Sequence, residues 1–535
     1  MRADEERRYA HLSPFELKDK LLALAADHAR RGAQAMLDAG RGNPNWVATT
    51  PREALFVLGE FAVAESFAAR SEPELGGMLR ADGIAHRLAD WLAGRAPSPG
   101  VTLLRDGVAH ACDNLGCPPD ALVHELADAV LGDHYPVPVR MLSHAGRIVH
   151  EYLRRELCEG AGGPYDLFAV EGAAAGIGYV LASLVENGLL ARGDRIALGV
   201  PTFTPYLELP RLADYGFDVV EVAADEADGW QYPDAEIDRL ADPAVKLFIV
   251  VNPGNPTAVA MRARTRERIA RLVASRRPDL MILTDDVYAT FSEGFRSLAA
   301  ELPRNTIGLY SFSKYFGATG WRLGVVLLHR DNIVDAAIAA LPAARRAVVD
   351  ARYAPVALDP RGFRFIDRVA AESRQVALNH VAGLSTPQQA QMALFALYAL
   401  MDRGGRFKSA ARAVVRRRLE ALYAGMGLPV PQDALSTHYY ATVDIAHWLE
   451  REHGPDFARF VQARYEPLDV VFRLAEEFAT VLLPGGGFDA PQWSVRISLA
   501  NLPDAVYPQI GANLRAVVEE YVAAWLAARG APSQG

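Results

Sequence analysis

The chain has 535 residues, 50% of them hydrophobic, 23% charged and 9% aromatic. At about 150 residues per domain this length predicts three or four domains, and a chain of this size can bury a core without covalent staples. Lys and Arg number 56 against 65 Asp and Glu, a net charge of -9 that argues against nucleic acid as a partner.

No run approaches the ~18 apolar residues that a membrane span needs. The charged start, Met1 to Arg8, leads into no apolar signal core. Cys112, Cys117 and Cys158 are too few, and odd in number, for a disulfide framework. Cys112 and Cys117 lack a nearby Cys/His pair, so they read as small buried side chains and no metal is expected. These features predict a cytoplasmic enzyme with no membrane partner.

Ser13-Pro14-Phe15-Glu16 is a capping box with proline at the first helical position, predicting a helix that Gly32 closes. Gly40 to Asn45 is too turn-rich for helix. Thr50-Pro51-Arg52-Glu53 repeats the capping device ahead of a second helix through Arg70, and Pro97 to Gly100 reads as a loop. From about Asp166, short runs rich in Val, Ile and Leu alternate with helical stretches. The predicted strands are Leu167–Val170, Arg195–Val200, Val219–Val222, Lys246–Val251, Leu280–Thr284, Thr306–Tyr310 and Leu323–Leu328. Strands separated by helices predict an α/β fold with a mainly parallel sheet covered on both faces, and a ligand beyond the carboxyl ends of its strands. Beyond Arg330 the pattern is helical again, with a third capping box, Thr386-Pro387-Gln388-Gln389, opening a helix towards Leu400. Short runs at Tyr440–Val443, Thr480–Leu483 and Val495–Leu499 then suit a smaller α+β domain.

The most informative stretch runs from Ser311 to Gly324, S-F-S-K-Y-F-G-A-T-G-W-R-L-G. It sets Lys314 just past a buried strand among small hydroxyl residues, with Arg322 eight positions on. An amine so placed can attack a carbonyl, and Ser311 with Arg322 can hold a phosphate. The pattern resembles the lysine signature of the fold-type I, pyridoxal-phosphate-dependent aminotransferases. The resemblance implies pyridoxal 5′-phosphate as cofactor, Lys314 as the lysine that carries it, and Ser311, Ser313 and Arg322 around its phosphate. It also implies that Asp285 pairs with the pyridine nitrogen and that Tyr288 contacts the ring hydroxyl. Asn252-Pro253-Gly254-Asn255-Pro256-Thr257 matches the family's asparagine loop, so Asn255 also faces that hydroxyl. Here the loop ends in Ala258 where the family has glycine. Phe203 is the ring-stacking candidate. Gly172, Ala173 and Ala174 form a strand-to-helix turn whose free amides suit the phosphate, although alanines stand where relatives often carry Ser or Thr. Arg496 matches the arginine that clamps the substrate α-carboxylate.

The flanking segments, Ser13–Lys18, Leu37–Trp46, Gly132–Pro138 and Leu378–Gln389, resemble a long, aspartate-decarboxylating branch of this family. That implies L-aspartate, and 2-oxo acids, as partners. Arg41, Gly42 and Lys18 are then candidates near the distal carboxylate, and Tyr135 resembles a tyrosine that reaches a phosphate across a subunit interface. A homo-oligomer, dimer at least, follows from the resemblance. His134, His380 and His438 read as packing or hydrogen-bonding residues, and the turn Gly485–Gly487 is assigned no chemistry. Two other readings share the motifs: a plain aspartate or aromatic aminotransferase, and a regulator built on this fold. The regulator would need a basic helix-turn-helix, and residues 1–125 show no such recognition helix. The resemblance redraws the organisation as an N-terminal arm and helical addition (1–125), a large cofactor domain (126–390) and a C-terminal small domain (391–535). The surplus lies in helical additions near 51–125 and 332–380, expected to serve substrate enclosure and subunit assembly.

Overall fold

The computed structural model describes residues 3–32, 35–160 and 163–530, so Met1 and Arg2 of the charged start lie outside the described residues. Leu37–Asp38 forms a short strand, β1. The apolar runs that follow form seven strands: Tyr165–Val170 (β2), Arg195–Val200 (β3), Asp218–Ala223 (β4), Val245–Val251 (β5), Met281–Asp285 (β6), Thr306–Ser311 (β7) and Gly324–His329 (β8). They make one sheet in the order β2-β8-β7-β6-β5-β3-β4. The neighbours from β4 to β7 pair in parallel, as expected of strands separated by helices. β8 runs antiparallel to both β7 and β2. The sheet is therefore mixed: residues 312–323 hold only a short 3-10 turn, not a crossover helix, so the chain returns as a hairpin partner.

Alternation along the strands feeds both faces. In β5, Leu247 and Ile249 face a core shared with Ile177, Val180 and Leu181 of the helix Ala173–Glu186. Phe248 and Val250 face the opposite core with Ile269 and Leu272 of the helix Ala263–Arg276. The helix Thr386–Met401 is buried along most of its length. It joins the sheet residues Tyr310 and Val325 to Leu55, Leu58, Phe61, Leu104 and Leu122 of the helical addition in one core. The remaining strands are Tyr440–Asp444 (β9), Thr480–Val481 (β10), Leu483–Pro484 (β11) and Ser494–Ser498 (β12). β11, β12 and β9 form an antiparallel sheet, and β1 pairs in parallel with β10. Their core draws on both ends of the chain, with Leu17, Leu21 and Ala25 packed among Val415, Leu422, Val471, Ile497 and Leu514.

Three helix starts differ from their sequence signals. The Ser13 hydroxyl does cap its helix, accepting from the Glu16 amide at 3.5 Å, and that helix ends at Gly32. The second helix spans Thr49–Ala68, and Ala48, not Thr50, sits at the cap without a side-chain bond. Pro97 to Gly100 is not a plain loop. Ser98 caps the Val101 amide at 3.2 Å and Pro99 opens the helix Pro99–Leu115, since proline at the first helical position loses no bond. The third box slips by one residue, with Ser385 at the cap of Thr386–Met401. Among the described residues no helix is long and apolar enough to cross a membrane.

Candidate active site

A cavity of about 430 Å³ opens beyond the carboxyl ends of the central strands. Lys314, Asp285, Tyr288, Asn255, Phe203, Ala173, Ala174, Ser311, Ser313, Arg322, Arg496 and Gly42 all line it. Each strand end supplies its part because side chains there leave the ladder and face the crevice. Asp285 is the last residue of β6 and Ser311 the last of β7.

The Asp285 carboxyl is buried and accepts bonds from the Tyr206 hydroxyl at 2.9 Å and the Val287 amide at 3.2 Å. Burial raises its pKa to about 6, with these donors and the Lys314 charge pulling back. Burial also lowers the pKa of the Lys314 amine, and the positive charges of Arg496 and Arg322 act in the same direction. The Lys314 Nζ donates to the Gly42 carbonyl at 3.1 Å. A Cβ on Gly42 would lie 2.6 Å from the Tyr440 hydroxyl and 3.1 Å from that Nζ, so only glycine lets the 40–45 turn approach the amine.

Opposite stands the phosphate-like corner. Gly172 caps the helix Ala173–Glu186 at φ +89°, and a Cβ there would fall 2.3 Å from the Arg322 guanidinium. That guanidinium donates to the Glu171 carbonyl at 3.3 Å and the Thr319 carbonyl at 3.0 Å. The first amides of a helix have no intrahelical acceptor, so those of Ala173 and Ala174 are free to meet an anion. The Ser311 hydroxyl accepts from the Ser313 amide at 3.2 Å.

Arg496, in the middle of β12, is buried yet forms no ion pair among the described residues. Its guanidinium donates to Asn255 Oδ1 at 3.1 Å and the Gly40 carbonyl at 2.9 Å, and it lies 4.4 Å from the Tyr440 ring centroid. Its Nε has no partner among the described residues. A buried guanidinium left so is costly unless a carboxylate completes it.

Four candidates lie outside the cavity lining: Gly172, which sits behind it at the start of the helix Ala173–Glu186, and Lys18, Arg41 and Tyr135. Lys18 and Arg41 both pair with Asp38, each at 3.1 Å, behind Gly40, whose amide bonds the same carboxylate. Tyr135 is 65% exposed, its ring beside His380. Sequence reasoning missed Tyr440, whose hydroxyl meets that of Tyr288 at 2.9 Å, and Tyr206, the partner of Asp285. Tyr206 sits three residues past Phe203, one helical turn, a signal that was there to read. Tyr440 enters only through the pairing of β9 with β12, which nothing local announces.

Residues 146–510 match the model of the family "aminotransferase class I and II". The chain is 48% identical over 518 residues to a bifunctional aspartate aminotransferase and L-aspartate beta-decarboxylase from Pseudomonas sp, covering 96% of this chain and 97% of that one. An aspartate aminotransferase from Streptomyces avermitilis is 31% identical over 27% of this chain and 36% of its own length. Among solved structures, the aspartate aminotransferase of Rhizobium meliloti superposes with a TM-score of 0.61 at 17% identity, over 95% of this chain and 96% of that one. The aromatic aminotransferase of Pyrococcus horikoshii does so with a TM-score of 0.58 at 18% identity, over 93% and 99%. Those two likenesses concern the fold, a sheet whose strand ends frame one crevice. With that fold, a lysine and a carboxyl facing each other in the crevice, and a family model that spans most of the chain, this protein belongs to the class I and II aminotransferases.

Proposed function

We propose that this chain removes the β-carboxylate of L-aspartate as CO2 to give L-alanine, and also transaminates aspartate to oxaloacetate, using pyridoxal 5′-phosphate. The observation that carries this reading is the extent of the Pseudomonas match. At 96% of the chain it takes in the helical additions as well as the cavity, whereas the Streptomyces aminotransferase match covers 27%.

The cavity suits the cofactor. A buried carboxyl and an amine both line it, Gly172 turns at φ +89° beside the Arg322 guanidinium, and the Arg496 Nε has no partner among the described residues. In this reading Ala173, Ala174, Ser311, Ser313 and Arg322 hold the phosphate, Asp285 the ring nitrogen, and Asn255 and Tyr288 the ring hydroxyl. Phe203 stacks on the ring, and Lys314 is the point of attachment. When bound, the cofactor supplies an electron sink for charge developing on the substrate.

The chain's own residues do the rest. Tyr206 donates to Asp285 and so holds that carboxylate ready to pair with a protonated nitrogen. Lys314, its charged form disfavoured by burial, accepts the proton from the substrate Cα and returns one at Nζ. Arg496 turns its Nε and one Nη towards the α-carboxylate and so fixes the orientation of the amino acid. Lys18 and Arg41 are drawn onto Asp38, so the distal carboxylate is only loosely paired and freer to leave. The rings of Phe15 and Phe203, 5.9 Å apart, limit water at the mouth and so disfavour hydrolysis to oxaloacetate.

The protein is further proposed to be a cytoplasmic homo-oligomer, dimer at least, in which the exposed Tyr135 reaches the phosphate of a neighbouring subunit. Its division is proposed as 1–125, 126–390 and 391–535. In this division the first segment contributes elements to the small domain, and Leu17 and Leu21, which share a core with Leu422 and Leu514, support that part of the reading. The test of the activity is purified, cofactor-loaded enzyme given L-aspartate alone. Steady release of alanine and CO2 over many turnovers is expected. A halt after one turnover, with oxaloacetate as product, would leave a plain aminotransferase.

A further inference from the structure

The turn that follows Lys314 exposes three successive carbonyls, and all three are gripped by one segment of the N-terminal part of the chain. The Trp46 Nε1 donates to the Tyr315 carbonyl at 3.1 Å. The Ala48 amide and the Arg52 Nη1 both donate to the Phe316 carbonyl, at 3.1 and 3.2 Å. The Arg52 Nη2 donates to the Gly317 carbonyl at 2.7 Å, while its Nη1 also closes on the Ala48 carbonyl at 2.6 Å. Gly317 has φ +60°, and a Cβ there would lie 1.9 Å from the Trp46 carbonyl, so the two segments are in backbone contact. The same segment begins at Gly42, whose carbonyl takes the Lys314 Nζ itself.

Arg52 is an unusual anchor. It sits in the first turn of the helix Thr49–Ala68, with its guanidinium 5.2 Å from the Phe395 ring centroid, and Phe395 in turn stacks on Phe316 at 4.8 Å. It forms no ion pair among the described residues, and burial holds its pKa below the usual value. A half-buried guanidinium that meets only carbonyls gives up part of its hydration without a carboxylate to balance its charge. The helix has no need of it for docking, because Leu55, Leu58 and Phe61 already bury its apolar face. What Arg52 adds is geometry. A planar fork can hold two adjacent carbonyls at fixed spacing, which apolar packing cannot do.

From this we propose that Arg52, assisted by Trp46, is a positioning residue for Lys314: it locks the 315–317 turn and thereby makes the helical addition part of the reacting site. This gives the 49–131 helices a role beyond enclosure and assembly, and it rests on the reading of Lys314 as the reacting amine. A displacement of reacting atoms by about 1 Å can cost about 100-fold in rate.

The test uses full-length, cofactor-loaded Arg52→Met, Arg52→Lys and Trp46→Phe, with Lys314→Ala as reference. For Arg52→Met, kcat on aspartate should fall about 10- to 100-fold, with KM nearly unchanged. The pH midpoint of the bound cofactor's visible absorbance should move. Arg52→Lys should recover part of both, because one ammonium can still reach a carbonyl. Trp46→Phe, which keeps an aromatic ring, though a smaller one, and loses one bond, should shift both measures less and in the same direction. It decides the matter if Arg52→Met does not fold. Wild-type kcat and pH midpoint in Arg52→Met and Trp46→Phe would overturn the proposal. So would a kcat loss that merely tracks lost cofactor, with a wild-type midpoint in the loaded fraction. A Lys314→Ala enzyme that keeps its activity would instead overturn the reading of the lysine.

Discussion

The cavity has two halves that are built differently. The cofactor-facing half comes from strand ends: Gly172 follows β2 by two residues, Phe203 follows β3 by three, Asn255 follows β5 by four, Asp285 ends β6, and Lys314 follows β7 by three. One rigid sheet therefore sets all these positions at once. The substrate-facing half is assembled from pieces distant in the chain. Arg496 lies in β12, Tyr440 starts β9, Gly40 and Gly42 belong to the turn after β1, and Phe15 opens the first long helix. The pairing of β9 with β12 joins Tyr440 to Arg496, while single bonds tie Arg496 to Gly40 in this half and to Asn255 in the other. The difference teaches that substitutions in the first half act on chemistry, whereas those in the second act on substrate placement and can leave the cofactor undisturbed.

Lys314→Ala tests the first half and should have the largest effect. Removing a general acid–base alone costs about 10²–10⁴-fold, and here the attachment to the cofactor goes with it. Turnover of aspartate should become undetectable, and the visible absorbance of the lysine-bound cofactor should vanish. Thermal stability of the cofactor-free protein should change little, because among the described residues the Nζ makes a single hydrogen bond, to the Gly42 carbonyl. An unchanged absorbance band would break the assignment.

The two halves were also unequally legible from sequence. Every strand of the large sheet lies within about two residues of its expected place, because buried β runs bounded by helices carry a strong periodic signal. Direction was harder to read. The antiparallel β8 depends on whether residues 312–323 form a helix, and the small residues of that stretch carry no hydrophobic period to decide it. Caps slipped at Ala48 and Ser385 because a side chain that could cap is not obliged to, once tertiary bonds such as those of Arg52 and Gln388 fill the same space. Lys18 and Arg41 were visible as cations beside a turn, but their capture by Asp38 depends on how β1 is seated against β10. Tyr440 was illegible for a similar reason: its place comes from strand pairing with β12.

Arg496→Gln tests the second half. Truncating one member of a buried charge pair costs about 2–5 kcal/mol, or about 30- to 5000-fold in kcat/KM. The loss should appear mainly in reactions of aspartate while the cofactor's absorbance band is retained, and its pH midpoint should rise only slightly, because burial is the larger cause of the lowered Lys314 pKa and the Arg496 charge a smaller one. Loss of the band itself would show that Arg496 holds the cofactor as well as the substrate, and the division between the halves would then fail.

Ala258→Gly should have the smallest effect and sharpens the comparison where the halves meet, in the loop that carries Asn255. Ala258 is buried at φ +57°, a conformation that costs an L residue roughly 1–2 kcal/mol. Glycine would relieve that strain, but it would forfeit a buried methyl worth about 0.8 kcal/mol and lose about 0.5–1 kcal/mol more in chain entropy on folding. The opposing terms nearly cancel, so thermal unfolding should place the variant within about 1 kcal/mol of wild type. Activity should be unchanged, because the loop is tied down elsewhere: the Thr437 amide and hydroxyl both donate to the Ala258 carbonyl, at 2.7 and 3.1 Å, and Arg496 holds Asn255. The departure from the family's glycine is thus a local cost carried by the backbone, without consequence for where Asn255 points. A several-fold fall in kcat for the glycine variant would contradict this and would mean that the strained alanine itself sets the asparagine's position.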